Sequence, residues 1–137
     1  IGRIRLSLIS NVSNSVLLNA IQKMISTGSQ ICTDGLTSYR GLNEYGYVHL
    51  PTKNKNVKDE DAIEKVHLIA SLLKRWLVGT HQGAISHKHL PYYLDEFTFR
   101  FNRRKSRSRE KLFHQLIQQS LEIDPVPIKS LTTTSCG

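Results

Sequence analysis

Hydrophobic and polar residues alternate at the start of the chain. In residues 2–9, with the sequence GRIRLSLI, apolar side chains occupy every second position, at Ile4, Leu6 and Leu8. Successive side chains of a β-strand point to opposite faces of a sheet, so this alternation predicts a strand with one buried face.

A helical spacing replaces the alternation after Ser13. Apolar side chains then recur every three or four residues, at Val16, Leu17, Ala20, Ile21, Met24 and Ile25. That spacing is typical of a helix with one apolar face. Ser13 belongs to the residue types that cap the start of a helix, and Gly28 suits its end.

Two short strands are predicted on either side of a second helical stretch. The first covers residues 30–33, and the second covers residues 47–50 and is closed by Pro51. Between them, apolar side chains keep a helix-like spacing that stops at Gly46, with members Leu36, Tyr39 and Leu42.

The second half of the chain is predicted to be helical after a loop. Residues 52–60 are polar and without periodicity, which predicts a mobile loop. Asp61 and Glu64 then have the spacing of a capping box at a helix start. Three helices are predicted after the loop: from Asp61 to Gly79, within residues 86–102, and from Ser108 to Leu121.

This order of strands and helices predicts an α/β domain with helices packed on a short sheet. We assign residues 1–124 to the domain and residues 125–137 to a loose C-terminal tail. A sheet of three strands is small, and the chain begins with Ile1 and not with Met. We therefore expect that strands on the N-terminal side are missing.

Composition narrows the class of partner. The chain has 137 residues and carries 19 Lys and Arg against 11 Asp and Glu, a formal net charge of +8. That excess favours polyanions such as nucleic acid as partners. The sequence contains no apolar run of the length of a membrane span and no secretory signal peptide. Cys32 and Cys136 are far apart, which favours a reducing compartment, and we expect a cytoplasmic protein.

Asp34 is the first candidate for chemistry. It follows a short predicted strand and precedes a glycine. Ligands of α/β proteins gather beyond the carboxyl ends of strands, and a carboxylate there can hold Mg²⁺. The competing interpretation is a turn aspartate beside Gly35, with no role in binding.

His67 and Lys74 form the second candidate. They are seven residues apart on a predicted helix, so they share one face. A metal ligand could lie at His67 and a phosphate-binding cation at Lys74. The competing interpretation is a boundary histidine and a solvated lysine. Glu64 is another acid nearby, but its capping position already explains it.

A dense run of cations is the third candidate. Seven cations occur between Phe97 and Lys111 against the single acid Glu110, namely Arg100, Arg103, Arg104, Lys105, Arg107, Arg109 and Lys111. This density favours contact with phosphates of a nucleic-acid backbone over an ordinary solvated face. Phe97 and Phe101 are spaced to pack in a core. The sequence has neither a glycine-rich phosphate loop nor a nucleophile elbow, which argues against a small-molecule α/β enzyme.

Taken together, three segments resemble a known family. They are ICTDGLTSYRGL (31–42), HLIASLLKRWLVGTHQGAISHKHL (67–90) and YLDEFTFRFNRRKSRSREKLF (93–113). The chain resembles bacterial insertion-sequence transposases of the DDE superfamily, in the family whose third active-site position varies among Glu, Asn and His. The resemblance implies a ribonuclease-H-like fold, here incomplete. It also implies a two-metal site for Mg²⁺ or Mn²⁺, transposon-end and target DNA as partners, and a homo-oligomer when complete.

The resemblance also assigns residues. The second metal-binding aspartate of the motif TDG-x-x-x-Y falls on Asp34, and the third position falls on His67, 33 residues later. The family's lysine falls on Lys74, which would contact DNA near the scissile phosphate. The secondary DNA contacts would be Arg75, Arg100, Arg103, Arg104, Lys105, Arg107 and Arg109.

Two departures from the family pattern limit the expected activity. The family's first catalytic aspartate has no counterpart, because residues 1–33 contain no Asp or Glu. Pro91 falls early in a helix that has no proline in the family, so it either marks the helix start or damages the first turn. We therefore expect part of a domain for DNA strand cleavage and transfer, inactive alone. The alternative is a non-catalytic DNA-binding remnant that acts through residues 100–109.

Overall fold

A computed structural model of the chain describes residues 1–52, 60–81 and 85–128, apart from the side chains at positions 60, 61, 81 and 109. Helices α1–α4 and strands β1 and β2 cover, in chain order, α1 Asn14–Met24, β1 Gln30–Thr33, β2 Val48–Pro51, α2 Glu60–His81, α3 Leu90–Asn102 and α4 Arg109–Glu122. Within these ranges, no helix has the length and apolar character needed to cross a membrane.

The chain divides into two compact units, and the first consists of Ile1 and Arg5–Ile85. Its sheet is a parallel pair in which β1 and β2 run from Gln30↔Val48 to Thr33↔Pro51. The two strands agree closely with the predicted strands at 30–33 and 47–50. The predicted helical stretch between them is two 3₁₀ turns, Thr37–Tyr39 and Leu42–Tyr45, and it ends at Gly46 as predicted.

One hydrophobic cluster holds the first unit together. Leu18 and Ile21 of α1 pack in it with Ile31 of β1, and Leu42 and Tyr47 complete it. Leu42 is fully buried. The hydroxyl of the buried Tyr47 donates a hydrogen bond to the carbonyl oxygen of Ile25 at 3.0 Å, so its polar end is satisfied.

Helix α1 is confirmed, but its two ends differ from the prediction. Ser13 is the N-cap residue without a capping hydrogen bond from its side chain. The helix ends at Met24, before Gly28. Gly28 instead has a φ of 86° in the turn before β1, and its N–H donates to the carbonyl oxygen of Gly46 at 2.9 Å. Gly28 therefore belongs to the turn that leads into β1 and does not cap the end of α1.

The predicted strand over residues 2–9 is wrong, and the sheet has two strands within the described ranges, not three. A strand needs a neighbouring backbone. Ile4 has a side chain as its partner instead: its N–H donates to Oδ1 of Asn102 at 2.7 Å, and its carbonyl oxygen accepts from Nδ2 of Asn102 at 2.9 Å. The side-chain amide of Asn102 therefore forms the hydrogen bonds with Ile4 that the backbone of an adjacent strand would otherwise form.

The second unit consists of Gly2–Ile4 and Ser86–Gly137 and contains α3 and α4. Leu94 and Phe97 of α3 are buried, and the Phe97 ring stacks on Phe101 with centroids 6.0 Å apart. Helix α3 begins at Leu90 with Pro91 in its first turn, so the proline marks the helix start.

The remaining predictions concern α2, α4 and the polar segments. Helix α2 covers the predicted helix and extends past Gly79. Ser108 caps α4 by accepting a hydrogen bond from the Lys111 N–H at 3.4 Å. Positions 53–59 of the predicted loop, the side chain of Asp61 and positions 129–137 of the predicted tail lie outside the described residues.

Replacing Leu42 with alanine should destabilise the chain by about 2–5 kcal/mol, because the site is fully buried and the lost side chain would leave a cavity. Urea unfolding followed by circular dichroism measures this change. Leu36→Ala is the matched control, since Leu36 is 42% exposed in the same unit and should cost much less. Equal losses of stability for the two variants would contradict the assigned core.

Candidate functional site

Asp34 lies at the carboxyl end of β1, where the parallel strand β2 also ends. Its side chain is exposed. Oδ1 of Asp34 accepts a hydrogen bond from the Leu36 N–H at 3.1 Å, which holds the carboxylate in a local turn. Oδ2 has no hydrogen-bond partner among the described residues, so it is available to a ligand.

The residue before Asp34 anchors this edge of the sheet. Thr33 is buried, and its Oγ1 shares a hydrogen bond of 2.8 Å with Nε2 of His49 on β2. The same oxygen accepts from the Gly35 N–H at 3.2 Å. Thr52 donates to the Thr33 carbonyl oxygen from both its N–H and its hydroxyl, at 2.9 and 2.7 Å. These bonds fix the backbone on both sides of Asp34.

Tyr39 is a titratable residue close enough to Asp34 to be influenced by its charge. Burial, and secondarily the charge of Asp34, raise the pKa of the Tyr39 hydroxyl above its ordinary value of 10.0. The tyrosine is held in place from α1, because Nδ2 of Asn14 donates to the carbonyl oxygens of Ser38 and Arg40 at 2.9 and 2.7 Å. The spacing TDG-x-x-x-Y therefore places the tyrosine where its hydroxyl is influenced by the charge of the aspartate.

His67 and Lys74 both lie on α2, and both side chains are exposed. Ile69 is the buried residue of this helix within the described side chains. Each residue turns the helix by about 100°, so His67 and Lys74 lie together on the side of α2 that is opposite to Ile69. The exposed Arg75 and the half-buried Trp76 follow them.

Helix α2 approaches β1 within the same unit, but Asp34 and His67 do not interact through a hydrogen bond or an ion pair. Over the described part of the chain, no three side chains among His, Cys, Asp and Glu are grouped as a metal site would require. The described side chains therefore do not form a complete divalent-metal site by themselves.

Three arginines of the basic run contact the protein itself. Arg100 forms an ion pair with Glu96 one turn earlier, at 2.9 Å. The guanidinium of Arg103 lies 3.8 Å above the Phe99 ring. Arg104 lies 3.9 Å above the Phe101 ring and donates to a backbone carbonyl at the end of α3 at 2.8 Å. These contacts indicate that part of the run stabilises the end of α3.

The other cations of the run are exposed. Lys105, Arg107 and Lys111 have no ion pair or hydrogen bond from their side chains to the described residues. The side chain of Arg109 lies outside the described part. The available charge of this region is therefore carried by fewer side chains than the sequence suggests.

Sequence reasoning passed over the residues that hold Asp34 in place. Thr33 and His49 could have been found from the sheet, because adjacent parallel strands end at the same edge. Tyr39 is present in the family motif, although its link to Asp34 requires the fold.

Asp34→Asn should lower the pKa of Tyr39 without returning it to 10.0, because the burial of the ring remains when the charge is removed. A ¹³C NMR titration of the tyrosine ring carbons measures this. Because the folded-state pKa is raised, the contribution of Tyr39 to stability is present below pH 10 and is lost as the pH rises through that pKa. Glu44→Gln removes a different exposed carboxylate and serves as the control. An unchanged Tyr39 titration in Asp34→Asn would contradict this geometry.

The family model of the ISXO2-like transposase domain matches residues 1–102, which is well over half of the chain. Comparisons with curated proteins and with solved structures give no significant match. The matched range includes Asp34, His67 and Lys74 and ends within the basic run. The chain therefore belongs to the ISXO2-like transposase domain family, and so to the insertion-sequence transposases of the DDE superfamily that its sequence resembles.

Proposed function

We propose that the chain supplies part of the active site for DNA strand cleavage and transfer, with Asp34, His67 and Lys74 as its members. DNA transposition is the general function of the family. The observation that carries the proposal is the position of Asp34. Its carboxylate stands exposed at the carboxyl end of a parallel strand pair, with one oxygen fixed by Leu36 and the other available.

The three residues would have different tasks in a complete domain. Asp34 and His67 would be ligands of Mg²⁺ or Mn²⁺, which would supply electrostatic stabilisation at the reacting phosphate. Lys74 is an exposed cation on the same face of α2 as His67, so it can contact a DNA phosphate close to the histidine. An exposed ammonium group is suited to this contact because it presents three hydrogen-bond donors and a full charge.

We further propose that this polypeptide is inactive alone. The family's reaction depends on two aspartates and a third ligand, whereas residues 1–33 contain no carboxylate at all. Asp34 and His67 provide two ligands, which is too few for a two-metal site. A ribonuclease-H-like arrangement would require further strands beside β1 and β2.

Strand transfer by this polypeptide should not exceed the background of its Asp34→Ala variant, with either Mg²⁺ or Mn²⁺ present. The physical reason is the incomplete set of metal ligands. The assay measures joining of a labelled duplex oligonucleotide to a plasmid. Activity that Asp34→Ala abolishes would refute the proposed inactivity.

A second measurement tests the role of Asp34 without activity. Substoichiometric Mn²⁺ should broaden the backbone NMR signals of Asp34 and Leu36 first, because the metal binds the available carboxylate oxygen. Asp34→Asn should remove this broadening, whereas Glu44→Gln should leave it unchanged. Broadening that is no stronger at Asp34 than at Glu44 would count against a metal-binding role for Asp34.

A non-catalytic DNA-binding function is the second candidate. It is favoured by Lys105 and Arg107, which are exposed and have no protein partner among the described residues. Such binding would depend on neutralised phosphates, so it would be sensitive to salt and largely independent of base sequence. It requires neither Asp34 nor a metal ion.

Replacing Arg100, Lys105 and Arg107 together with glutamine should weaken duplex binding by about 10-fold or more near 0.1 M salt. Fluorescence anisotropy with a labelled duplex measures the change. The control is a triple variant with Lys23→Gln, Arg40→Gln and Lys88→Gln, which removes the same charge outside the tested positions. It should bind the duplex more tightly than the first triple variant does. If the two triple variants bind equally well, the basic run is not the binding surface.

A further inference from the structure

A pocket of about 340 Å³ lies within the second unit. Its walls come from three parts of that unit: the segment Gly2–Ile4, the C-terminal end of α3 with the residues after it, and the first turns of α4. The polar and charged residues that line it are Arg3, Asn102, Arg103, Ser106, Lys111 and Gln115. Its volume is at the lower end of the range of about 300–1,000 Å³ in which proteins bind small ligands.

The pocket is strongly cationic. Arg3, Arg103 and Lys111 bring three positive charges to it, and no Asp or Glu is among the described residues that line it. Arg3 and Lys111 are exposed and have no ion pair with a described residue. The concentration of three uncompensated cations around one concave surface favours an anionic ligand.

One cation of the pocket is held by its own side-chain contacts, and the backbone beside a second is fixed. Asn102 uses both ends of its side-chain amide on the backbone of Ile4, at 2.7 and 2.9 Å, which fixes the residue next to Arg3. Arg103 donates from Nε to Oε1 of Gln115 at 3.0 Å and stacks on Phe99. A ligand that binds here therefore loses less affinity to the ordering of these segments.

The polar groups that remain in the pocket are mainly donors. Asn102 uses its amide oxygen and one amide N–H on Ile4, and the amide oxygen of Gln115 accepts from Arg103. The terminal nitrogens of Arg103, the amide nitrogen of Gln115, the guanidinium of Arg3 and the ammonium of Lys111 are left. A phosphate group offers only acceptor oxygens and negative charge, so its chemistry matches this set.

We propose that this pocket binds a phosphate group, and that a DNA backbone supplies it. The inference rests on the DNA-handling part of the proposed function and not on catalysis. It differs from binding by the basic run as a whole, since Arg3 lies outside the run and only two cations of the run, Arg103 and Lys111, line the pocket. We do not expect this pocket to distinguish one DNA sequence from another, because every DNA sequence has the same phosphates.

The test compares two double variants of the full chain, Arg3→Gln/Lys111→Gln and the charge-matched control Lys23→Gln/Arg40→Gln. Both remove two exposed cations, so circular dichroism and thermal unfolding should show that both keep the fold. We expect the first to bind a 20-bp duplex about 10-fold more weakly than wild type near 0.1 M salt, and the control to stay within about threefold. The dependence of log K on log salt should flatten by about 2 for the first variant.

A second arm identifies the source of the phosphate. Inorganic phosphate is titrated into the wild-type chain, and the NMR signals of the Arg3 and Arg103 guanidinium groups are followed. Shifts that Arg3→Gln/Lys111→Gln abolishes support a phosphate site, and their competition with the duplex assigns the site to DNA. Arg3→Lys/Lys111→Arg should keep most of the affinity, because the charge is retained.

The outcomes separate this proposal from the proposed function. Equal duplex affinity of the two glutamine variants, together with no response to inorganic phosphate, would overturn the pocket while leaving DNA binding by the chain intact. A phosphate response without an effect on duplex affinity would support the site but assign it to free phosphate. A wild-type chain that binds no duplex would instead overturn the DNA-handling function itself.

Discussion

The parallel pairing of β1 with β2 is the constraint on which the candidate active site depends. Two parallel strands need a connection that returns the chain to the same starting edge. Here the 3₁₀ turns and Gly41 and Gly46, with φ values of 89° and 81°, provide it. The same connection carries the fully buried Leu42 into the core. Consequently, the packing of the unit and the position of Asp34 are set by one short sheet.

A sheet of two strands has few backbone hydrogen bonds to hold its carboxyl edge. Here, hydrogen bonds from side chains add to them. The hydroxyl of Thr33 links to His49 across the strands, and Thr52 closes on the Thr33 carbonyl oxygen with two hydrogen bonds. Asp34 follows directly, so its backbone has little freedom while its carboxylate stays exposed. An ordered backbone with an exposed carboxylate suits a ligand position and equally suits a turn, which is why the family match matters for its interpretation.

The accuracy of the sequence predictions follows from how local each signal is. Strand β1 and helices α3 and α4 were predicted well, because capping residues, prolines and apolar spacing act within a few residues. The alternation at residues 2–9 was misleading, because alternation describes which faces a segment presents but not which backbone pairs with it. Its partner, the side chain of Asn102, is far away in the sequence. Likewise, Asp34, His67 and Lys74 were proposed as site residues from the sequence, whereas the link between Tyr39 and Asp34 required the fold.

Charge density in the sequence is also a poor guide to which cations are available to a ligand. Arg103 and Arg104 each stack on a phenylalanine of α3, so these two guanidinium groups already interact with the protein and are less available to a ligand. Arg3, an isolated residue near the start of the chain, shares a pocket with Lys111 although the basic run does not include it. Binding to phosphates tolerates such dispersed contributions, because each contact adds a similar amount of electrostatic energy. Cleavage does not, since its ligands must converge on one point. The proposed metal ligands, Asp34 and His67, are therefore not among the cations proposed to bind phosphate, so a loss of the metal ligands would leave the proposed DNA-binding residues in place.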